Sequence, residues 1–501
     1  MGEPPARKQA TARAMAAVAT VFLLKAVVLA FWITPLWDVP DEAGHYAIVA
    51  DLADGKGLPL PGRSVLHPDV LADWAKGKTL STEETWNWVA QHPPLYHVLA
   101  VPFLAAGRAL TSDSHRRYRS PRLLSALSGA AALLVLFAVF REASGDALFA
   151  LAAASAVSFL PMFSHMSSGT NHDVFLAFLC GAAALFWVRL AGRGRFSDGL
   201  KMGLLLAAAG FTKFSALVVA AALLAVSWRS LASRGARRLV EWLSIAALSV
   251  SLPAFWALRH VLLLGNTRLH PVSTEPFDPG SFLSYLANDP VVDHTFKNFV
   301  GLIGWTARGA GRVEWFQISG VFFSVYFAIA LAAAAGAAIW LWRSDRSPGR
   351  LAGRTAAVLV FFFCAFWLFS RADGSEPFKR LLYSLLAAVP LLALPPLFSG
   401  RKDPADVFPV ASQAVFLLFA AAYLVNSWEA YEIYGAMRAT NGRYFFAVLP
   451  WIGLAFALPA ARLMRSDSRR GTILLALPAA MFVNETLFFL LRVIPFYRRT
   501  S

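Results

Sequence analysis

The sequence predicts an all-α polytopic membrane protein. Its 501 residues are 57% hydrophobic and only 15% charged, whereas charged residues make up about a quarter of a typical soluble chain. About 13 membrane helices of about 21 residues would occupy roughly 273 positions, which leaves no room for a large soluble domain. This composition excludes a secreted enzyme, a nucleic-acid-binding protein and a receptor with one span.

The formal net charge of +16 indicates topology rather than nucleic-acid binding, because Lys and Arg concentrate in the cytoplasmic loops of membrane proteins. Cys180 and Cys364 lie within apolar runs without metal-type spacing. Neither a disulfide framework nor a cysteine metal site is therefore expected.

The first span is predicted at about 15–37. A basic stretch precedes it (Arg7, Lys8, Arg13), and the apolar run is longer than the core of a cleavable signal, so we expect an uncleaved span that begins in the cytoplasm. A long polar segment rich in acidic residues follows. We call the region of about 37–120 outer loop 1.

The apolar run 94–110 could cross the membrane or lie at its surface as an interfacial helix. The interfacial alternative is favoured because it places the later basic loops together in the cytoplasm. The remaining predicted spans are 121–140, 147–163, 173–190, 199–210, 213–228, 238–263, 317–342, 354–370, 380–398, 411–427, 443–461 and 472–493.

This topology predicts a single integral membrane domain over 1–501, with a cytoplasmic N-terminus and an outer C-terminus. Outer loop 1 and the segments of about 264–316 and 428–442 are the substantial outer regions. Outer loop 1, the turns at 167–173 and 211–215, and the segment 441–444 emerge on the same side, so they can converge on one site.

The strongest candidate catalytic residues follow the first span directly. Asp41, Glu42 and His45 lie in Trp-Asp-Val-Pro-Asp-Glu-Ala-Gly-His-Tyr. A carboxylate at the membrane boundary can accept a proton from an incoming hydroxyl, and Asp41 is our candidate general base. The alternative interpretation is that the two carboxylates cap the helix that follows.

Two further polar turns are expected on the same side. His92 and Tyr96 belong to the rigid turn Gln-His-Pro-Pro-Leu-Tyr, which could instead be a helix start. Asn171 and Asp173 belong to Ser-Ser-Gly-Thr-Asn-His-Asp. Asp173 could orient an acceptor or hold a divalent ion, although an acid capping a helix is the alternative.

Two cations are candidates for binding phosphate. Lys213 lies between two apolar runs and needs a counter-charge, which a lipid phosphate would supply; a snorkelling lysine is the alternative. Arg443 is the first residue of a later predicted span and is followed by Tyr444, in the motif Asn-Gly-Arg-Tyr. Its guanidinium suits phosphate oxygens, but interfacial anchoring explains both residues equally well.

Taken in order, these motifs resemble the polytopic GT-C superfamily of glycosyltransferases. The layout is similar to the branch of protein O-mannosyltransferases and aminoarabinose transferases. The Pro-Asp-Glu-x-x-His opening at 40–45 and Gly-Arg-Tyr at 442–444 look closest to uncharacterised bacterial members.

The resemblance implies transfer of a sugar from a polyprenyl-phosphate donor to an acceptor at the outer side, with inversion at the anomeric carbon. Asp41 would remove the acceptor proton, while Glu42 and Asp173 would position the acceptor or tune Asp41. Lys213 and Arg443 would neutralise the departing phosphate. Side chains expected to shape the acceptor site are His45, His92, Tyr96, Asn171 and Tyr444.

No cofactor is required by this scheme, although a divalent metal held by Asp41, His45 and Asp173 stays open. The acceptor could be a lipid, a glycan or a protein. Richness in Ala and Arg favours a bacterial inner membrane. The alternatives are a ligase or polymerase that uses lipid diphosphates, for which Arg116, Arg117, Arg119 and Arg122 would be the basic cluster, and a transporter or flippase of lipid-linked sugars.

Overall fold

The computed structural model describes residues 5–75, 85–231, 235, 237–265, 277–303, 316–343, 381, 383–388, 404–435, 440–464 and 467–500. The predicted span 354–370, most of 380–398, Cys364 and the basic residues 346–354 and 401–402 lie outside the described residues. Helices are numbered over the described part of the chain.

The N-terminal half consists of one long helix, the helices of outer loop 1, and a group of packed apolar helices. These are α1 (Pro5–Val28, continued by a π-helical turn, Leu29–Ile33), α2 (Glu42–Ala53), α3 (Pro68–Ala75), α4 (Leu95–Leu110), α5 (Ser114–Arg119), α6 (Arg122–Ser144), α7 (Ala147–Val157), α8 (Pro161–Met166), α9 (Asp173–Arg193), α10 (Phe196–Gly210), α11 (Ala216–Ser230) and α12 (Arg237–Leu264).

The C-terminal half begins with two shorter helices and ends with long apolar ones. These are α13 (Pro279–Asn288), α14 (Val291–Gly301), β1 (Leu302–Ile303), β2 (Phe316–Gln317), α15 (Gly320–Arg343), α16 (Pro404–Tyr434), a 3-10 helix (Gly442–Val448), α17 (Leu449–Ile452), a π-helical turn (Gly453–Ala457), α18 (Leu458–Leu463), α19 (Arg470–Phe488), a π-helical turn (Phe489–Val493) and α20 (Ile494–Thr500). The two strands pair antiparallel.

Eight helical segments in the described part of the chain are long and apolar enough to cross a membrane. Shorter apolar helices occur at Leu95–Leu110, Ala147–Val157 and Ala216–Trp228. The prediction of an all-α polytopic membrane protein is therefore confirmed. The number thirteen stays a prediction, because two of those spans fall largely outside the described residues.

Several boundaries differ from the sequence-based expectation. The first long helix ends at Ile33 rather than near 37, because the chain turns through Thr34–Pro35 before Trp37, whose φ is 65°. The helix predicted to end near 427 runs on to Tyr434. The beginning of the expected outer segment 428–442 is thus helical.

Outer loop 1 has a hydrophobic core of its own. Small residues let α2 and α4 pack closely, with Ala47, Ala50, Ala100 and Leu104 all fully buried. Tyr46 joins this core while donating its hydroxyl to Asp69 at 3.0 Å. The packing makes the loop a rigid support for the residues at its start.

Candidate active site

Asp41 lies at the turn between α1 and α2 in a backbone conformation that is unusual for a residue with a side chain. Its φ is 63° and its carboxylate makes no capping hydrogen bond to α2. One carboxylate oxygen instead accepts a 2.9 Å hydrogen bond from Nε1 of Trp88, and the other contacts Arg443. The capping interpretation of Asp41 is therefore wrong, and the side chain is directed to other elements.

Asp173, Lys213 and Arg443 meet Asp41 in one cluster, although they come from four separate segments. Nζ of Lys213 lies 2.6 Å from Oδ1 of Asp173, and Nε of Arg443 lies 3.1 Å from Oδ2 of the same residue. Arg443 thus bridges Asp41 and Asp173. The convergence of the four motifs expected from the sequence is present in the structure.

The two carboxylates of this cluster differ in accessibility. The side chain of Asp41 is 24% exposed, whereas that of Asp173 is 3% exposed. Lys213 is also covered, since its ammonium group lies 4.1 Å from the ring centroid of Tyr444. Of the two carboxylates, Asp41 is therefore the one that an external substrate can reach.

Close packing fixes the position of Arg443. A Cβ added to Gly442 would lie 2.2 Å from the backbone oxygen of Thr295 and 2.2 Å from the backbone nitrogen of Phe299, both on α14. The side-chain amide of Asn298 also donates to the carbonyl of Thr440 at 2.9 Å. Only glycine permits this approach, which holds the arginine against α14.

Glu42 has an environment different from the one expected. Arg122 donates to both of its carboxylate oxygens, at 2.6 and 2.8 Å, and the Thr170 amide donates to one of them at 3.0 Å. Both members of the pair are buried. We therefore assign Glu42 a role in holding the turn at 167–173 against α1 and α6 rather than in contacting the acceptor.

Arg122 also explains part of the basic cluster that the diphosphate alternative invoked. Its guanidinium donates to the carbonyls of Ala30, Thr34 and Pro35 in addition to Glu42. Arg116, in contrast, has a side chain 74% exposed beside Asp113. The two arginines do not share a phosphate site.

Tyr96 and Asn171 lie behind the cluster. The Tyr96 hydroxyl is 2.8 Å from Oγ of Ser125, and the Asn171 amide donates to the carbonyl of Pro40 at 2.8 Å. Asn171 Oδ1 accepts from the backbone nitrogen of Asp173 at 2.7 Å. Both residues brace the turns that carry the two carboxylates, which differs from the acceptor-shaping role expected of them.

Histidines surround the same turns. Nδ1 of His45 lies 2.9 Å from Nε2 of His97, and the ring centroid of His172 lies 4.3 Å from that of His45 and 4.6 Å from that of His92. Burial lowers the pKa of His45 well below its usual value, and the neighbouring histidines lower it further. This ring is therefore neutral at pH 7.

The expected metal ligands Asp41, His45 and Asp173 are not the set that the structure brings together. The carboxylates of Asp41 and Asp173 are ion-paired with the two cations. Among the described residues, the three side chains with potential ligand atoms in mutual reach are His45, His97 and His172. His97 was not among the predicted site residues, because nothing in the apolar run 94–110 indicates that this imidazole faces another helix.

Lys25 and Arg259, two cations within predicted spans, have partners in the structure. Lys25 donates to Glu485 at 2.7 Å and to the carbonyl of Ser158 at 2.6 Å. Arg259 donates to the carbonyls of Pro59 and Leu58 at 3.2 Å each. Neither residue supports the charged transport path that the transporter alternative requires.

The fold and the site together define a polytopic membrane protein with an accessible carboxylate beside two buried cations. Comparison with protein families agrees with the resemblance seen in the sequence. A family model described as dolichyl-phosphate-mannose-protein mannosyltransferase matches residues 91–257, which is 167 of the 501 residues. The match includes Asp173 and Lys213, and it confirms the similarity to the GT-C glycosyltransferases.

Solved structures of two such proteins are similar to this chain at low identity. The oligosaccharyltransferase of Archaeoglobus fulgidus, in complex with Zn and sulfate, is 14% identical with a TM-score of 0.46; the match covers 94% of this chain and 52% of that one. ArnT from Cupriavidus metallidurans, bound to undecaprenyl phosphate, is 15% identical with a TM-score of 0.40; the match covers 96% of this chain and 76% of that one. This chain thus spans about half the length of the oligosaccharyltransferase. No curated protein matches the sequence significantly.

Proposed function

We propose that the protein is an inverting glycosyltransferase that moves a sugar from a polyprenyl phosphate to an acceptor at the outer membrane face. The observation that carries the proposal is the placement of Asp41, a partly accessible carboxylate, in direct contact with Arg443, which Asp173 joins to Lys213. The similarity of residues 91–257 to the mannosyltransferase family model supports the reaction class.

In this scheme Asp41 is the general base. The acceptor hydroxyl gives its proton to the carboxylate while its oxygen forms a bond to the anomeric carbon on the face opposite the phosphate. The bond from the anomeric carbon to the phosphate oxygen breaks, and the electron pair leaves with the polyprenyl phosphate. The contacts with Trp88 and Arg443 hold this carboxylate in place.

Lys213 and Arg443 are the groups proposed to stabilise the charge that develops on the departing phosphate. Each is balanced by Asp173 before the donor binds. A phosphate oxygen entering between them would share both cations with that carboxylate. We assign Asp173 to holding the two cations in place, because its side chain is buried.

The remaining features of the proposal concern location. A bacterial inner membrane, an active site on the outer side, a prenyl chain lying in the lipid between the spans, and a single membrane domain form one consistent topology.

The segments 277–303 and 428–435 contribute to one wall, since Ser281 donates to Glu432 at 2.7 Å and accepts from Trp428 at 3.1 Å. We propose that this wall borders the acceptor site.

The test is a comparison of purified wild type and Asp41→Asn in lipid nanodiscs. Each is offered a panel of polyprenyl-monophosphate sugars, and release of free polyprenyl phosphate is followed by mass spectrometry, with the product anomer assigned by NMR. Asp51→Asn is the matched control, because Asp51 is on α2, the helix that follows Asp41, has a side chain 21% exposed and is also ion-paired with a cation, Lys56. We expect release by wild type and the control alone.

Failure of folded wild type to release polyprenyl phosphate from any monophosphate donor would contradict the donor class. The same assay with lipid diphosphates would then test the ligase alternative. A product that retains the donor's anomeric configuration would contradict the single displacement.

A further inference from the structure

Three buried histidines from three separate elements meet beside the catalytic cluster. His45 lies on α2, His97 on α4 and His172 at the N-cap of α9, and each is at most 1% exposed. One ring nitrogen of each lies within 4.8 Å of a ring nitrogen of both others. The arrangement places three imidazoles around one point in the protein interior.

The hydrogen bonds within the protein do not account for all of these nitrogens. Nδ1 of His97 and Nδ1 of His172 are buried and have no hydrogen-bond partner among the described residues. A buried polar atom left unsatisfied costs about 1–3 kcal/mol. Two such atoms in a single cluster point to a ligand that binds nitrogen.

We propose that His45, His97 and His172 bind one Zn²⁺ ion. The three donors are neutral imidazoles, which suit Zn²⁺ and other transition ions, whereas Ca²⁺ and Mg²⁺ prefer oxygen. Zn–N bonds of about 2.0–2.1 Å at tetrahedral angles put ligand nitrogens about 3.3 Å apart. The ligand nitrogens of the three histidines lie within 4.8 Å of one another, a limit somewhat above that separation.

Neighbouring groups complete the environment of a zinc site. Nε2 of His172 lies 3.4 Å from Oδ1 of Asp173, and a carboxylate contacting the second nitrogen of a ligating histidine is the usual way its ring is oriented. That contact leaves Nδ1 of His172 for the metal. The His92 ring, 4.6 Å between centroids from that of His172, is the closest imidazole to serve as a fourth ligand.

The metal would act as a structural clamp. It would join α2, which begins directly after Asp41, to α4 and to the turn that leads into Asp173. Structural zinc sites contribute directly to folding free energy. The site therefore holds the two carboxylates of the cluster at a fixed separation, and it takes no part in the reaction itself.

The test is metal analysis of the full-length protein purified without a histidine tag, stripped with a chelator, reconstituted with ZnCl₂ and dialysed. We expect about one zinc ion per chain in wild type and at least a tenfold lower content in His97→Gln. The control is His67→Gln, because His67 is also a buried histidine of outer loop 1 but is bound to Asp54 at 2.9 Å. That variant is expected to retain the metal.

A monodisperse wild type that takes up no zinc would overturn the proposal, as would equal zinc in wild type and His97→Gln. Co²⁺ reconstitution of wild type provides a test that does not depend on the folding of a variant. Visible absorption typical of tetrahedral Co²⁺, together with a nitrogen coordination shell in X-ray absorption, supports the site. A shell made of oxygen ligands overturns it.

Discussion

Replacement of Asp41 by asparagine separates the catalytic role of this residue from its structural one. The amide has the same shape, and its oxygen can still accept the hydrogen bond from Trp88, but it cannot take a proton. General-base catalysis contributes about 10²- to 10⁴-fold to rate, which corresponds to about 3–5 kcal/mol of transition-state stabilisation. We therefore expect transfer to fall by at least about 100-fold.

The effect of the same substitution on stability should be small. Asp41 is 24% exposed and its partner Arg443 keeps a second carboxylate, Asp173, so no cation is left without a counter-charge. Asp173→Asn provides the contrast, because it removes the buried partner of Lys213, and breaking a buried ion pair costs about 3–5 kcal/mol.

The assay measures polyprenyl phosphate release and thermal unfolding of the same nanodisc samples. We expect Asp41→Asn to lose activity while its unfolding temperature stays close to that of wild type. Asp173→Asn should lose activity and also unfold at a lower temperature. Activity of Asp41→Asn within a few-fold of wild type would refute the assignment of the general base. An equally large loss of stability in both variants would show that Asp41 acts mainly as a structural ion-pair partner.

Three further predictions concern the support of the site. Arg122→Leu leaves Glu42 buried without its guanidinium, so the free energy of unfolding should fall by about 3–5 kcal/mol, measured by denaturant titration; an unchanged midpoint would contradict the role of the pair. Gly442→Ala forces a Cβ against the backbone of α14 and should lower the unfolding temperature and the transfer rate together, whereas Gly192→Ala, in open space, should change neither. Burial, with nearby guanidinium groups, lowers the pKa of His165 to about 3, so the unfolded chain binds a proton below pH 6.5 that the folded chain does not. Stability should therefore fall with pH, by about 2 kcal/mol for this group between pH 6.5 and 5, and His165→Gln should flatten that slope in pH-dependent thermal unfolding; equal slopes would contradict the shift.

Hydrophobic periodicity and length predicted most of the fold. Apolar runs of about 20 residues identify membrane helices, because every backbone polar group must be satisfied inside the bilayer. The helices α6, α9 and α12 accordingly lie close to their predicted positions. The end of the first helix was misplaced, since the apolar residues after Ile33 belong to a turn whose backbone angles the pattern does not encode.

The charged residues of the candidate site follow from the amino-acid pattern. Asp41, Asp173, Lys213 and Arg443 attract attention because charges at the ends of apolar runs are costly without partners. We inferred that these four residues lie on the same side of the membrane from the number of predicted spans between them. Residue type and spacing along the chain were sufficient for that inference.

Which residues pair with one another depends on the three-dimensional packing of the chain. Glu42 is adjacent to Asp41 in sequence, yet it binds Arg122 and lies buried while Asp41 reaches the surface. The meeting of His45 with His97 likewise depends on how α2 packs against α4. Such pairings are set by the packing of helices distant in sequence, and the local hydrophobic pattern does not specify which side chains face each other.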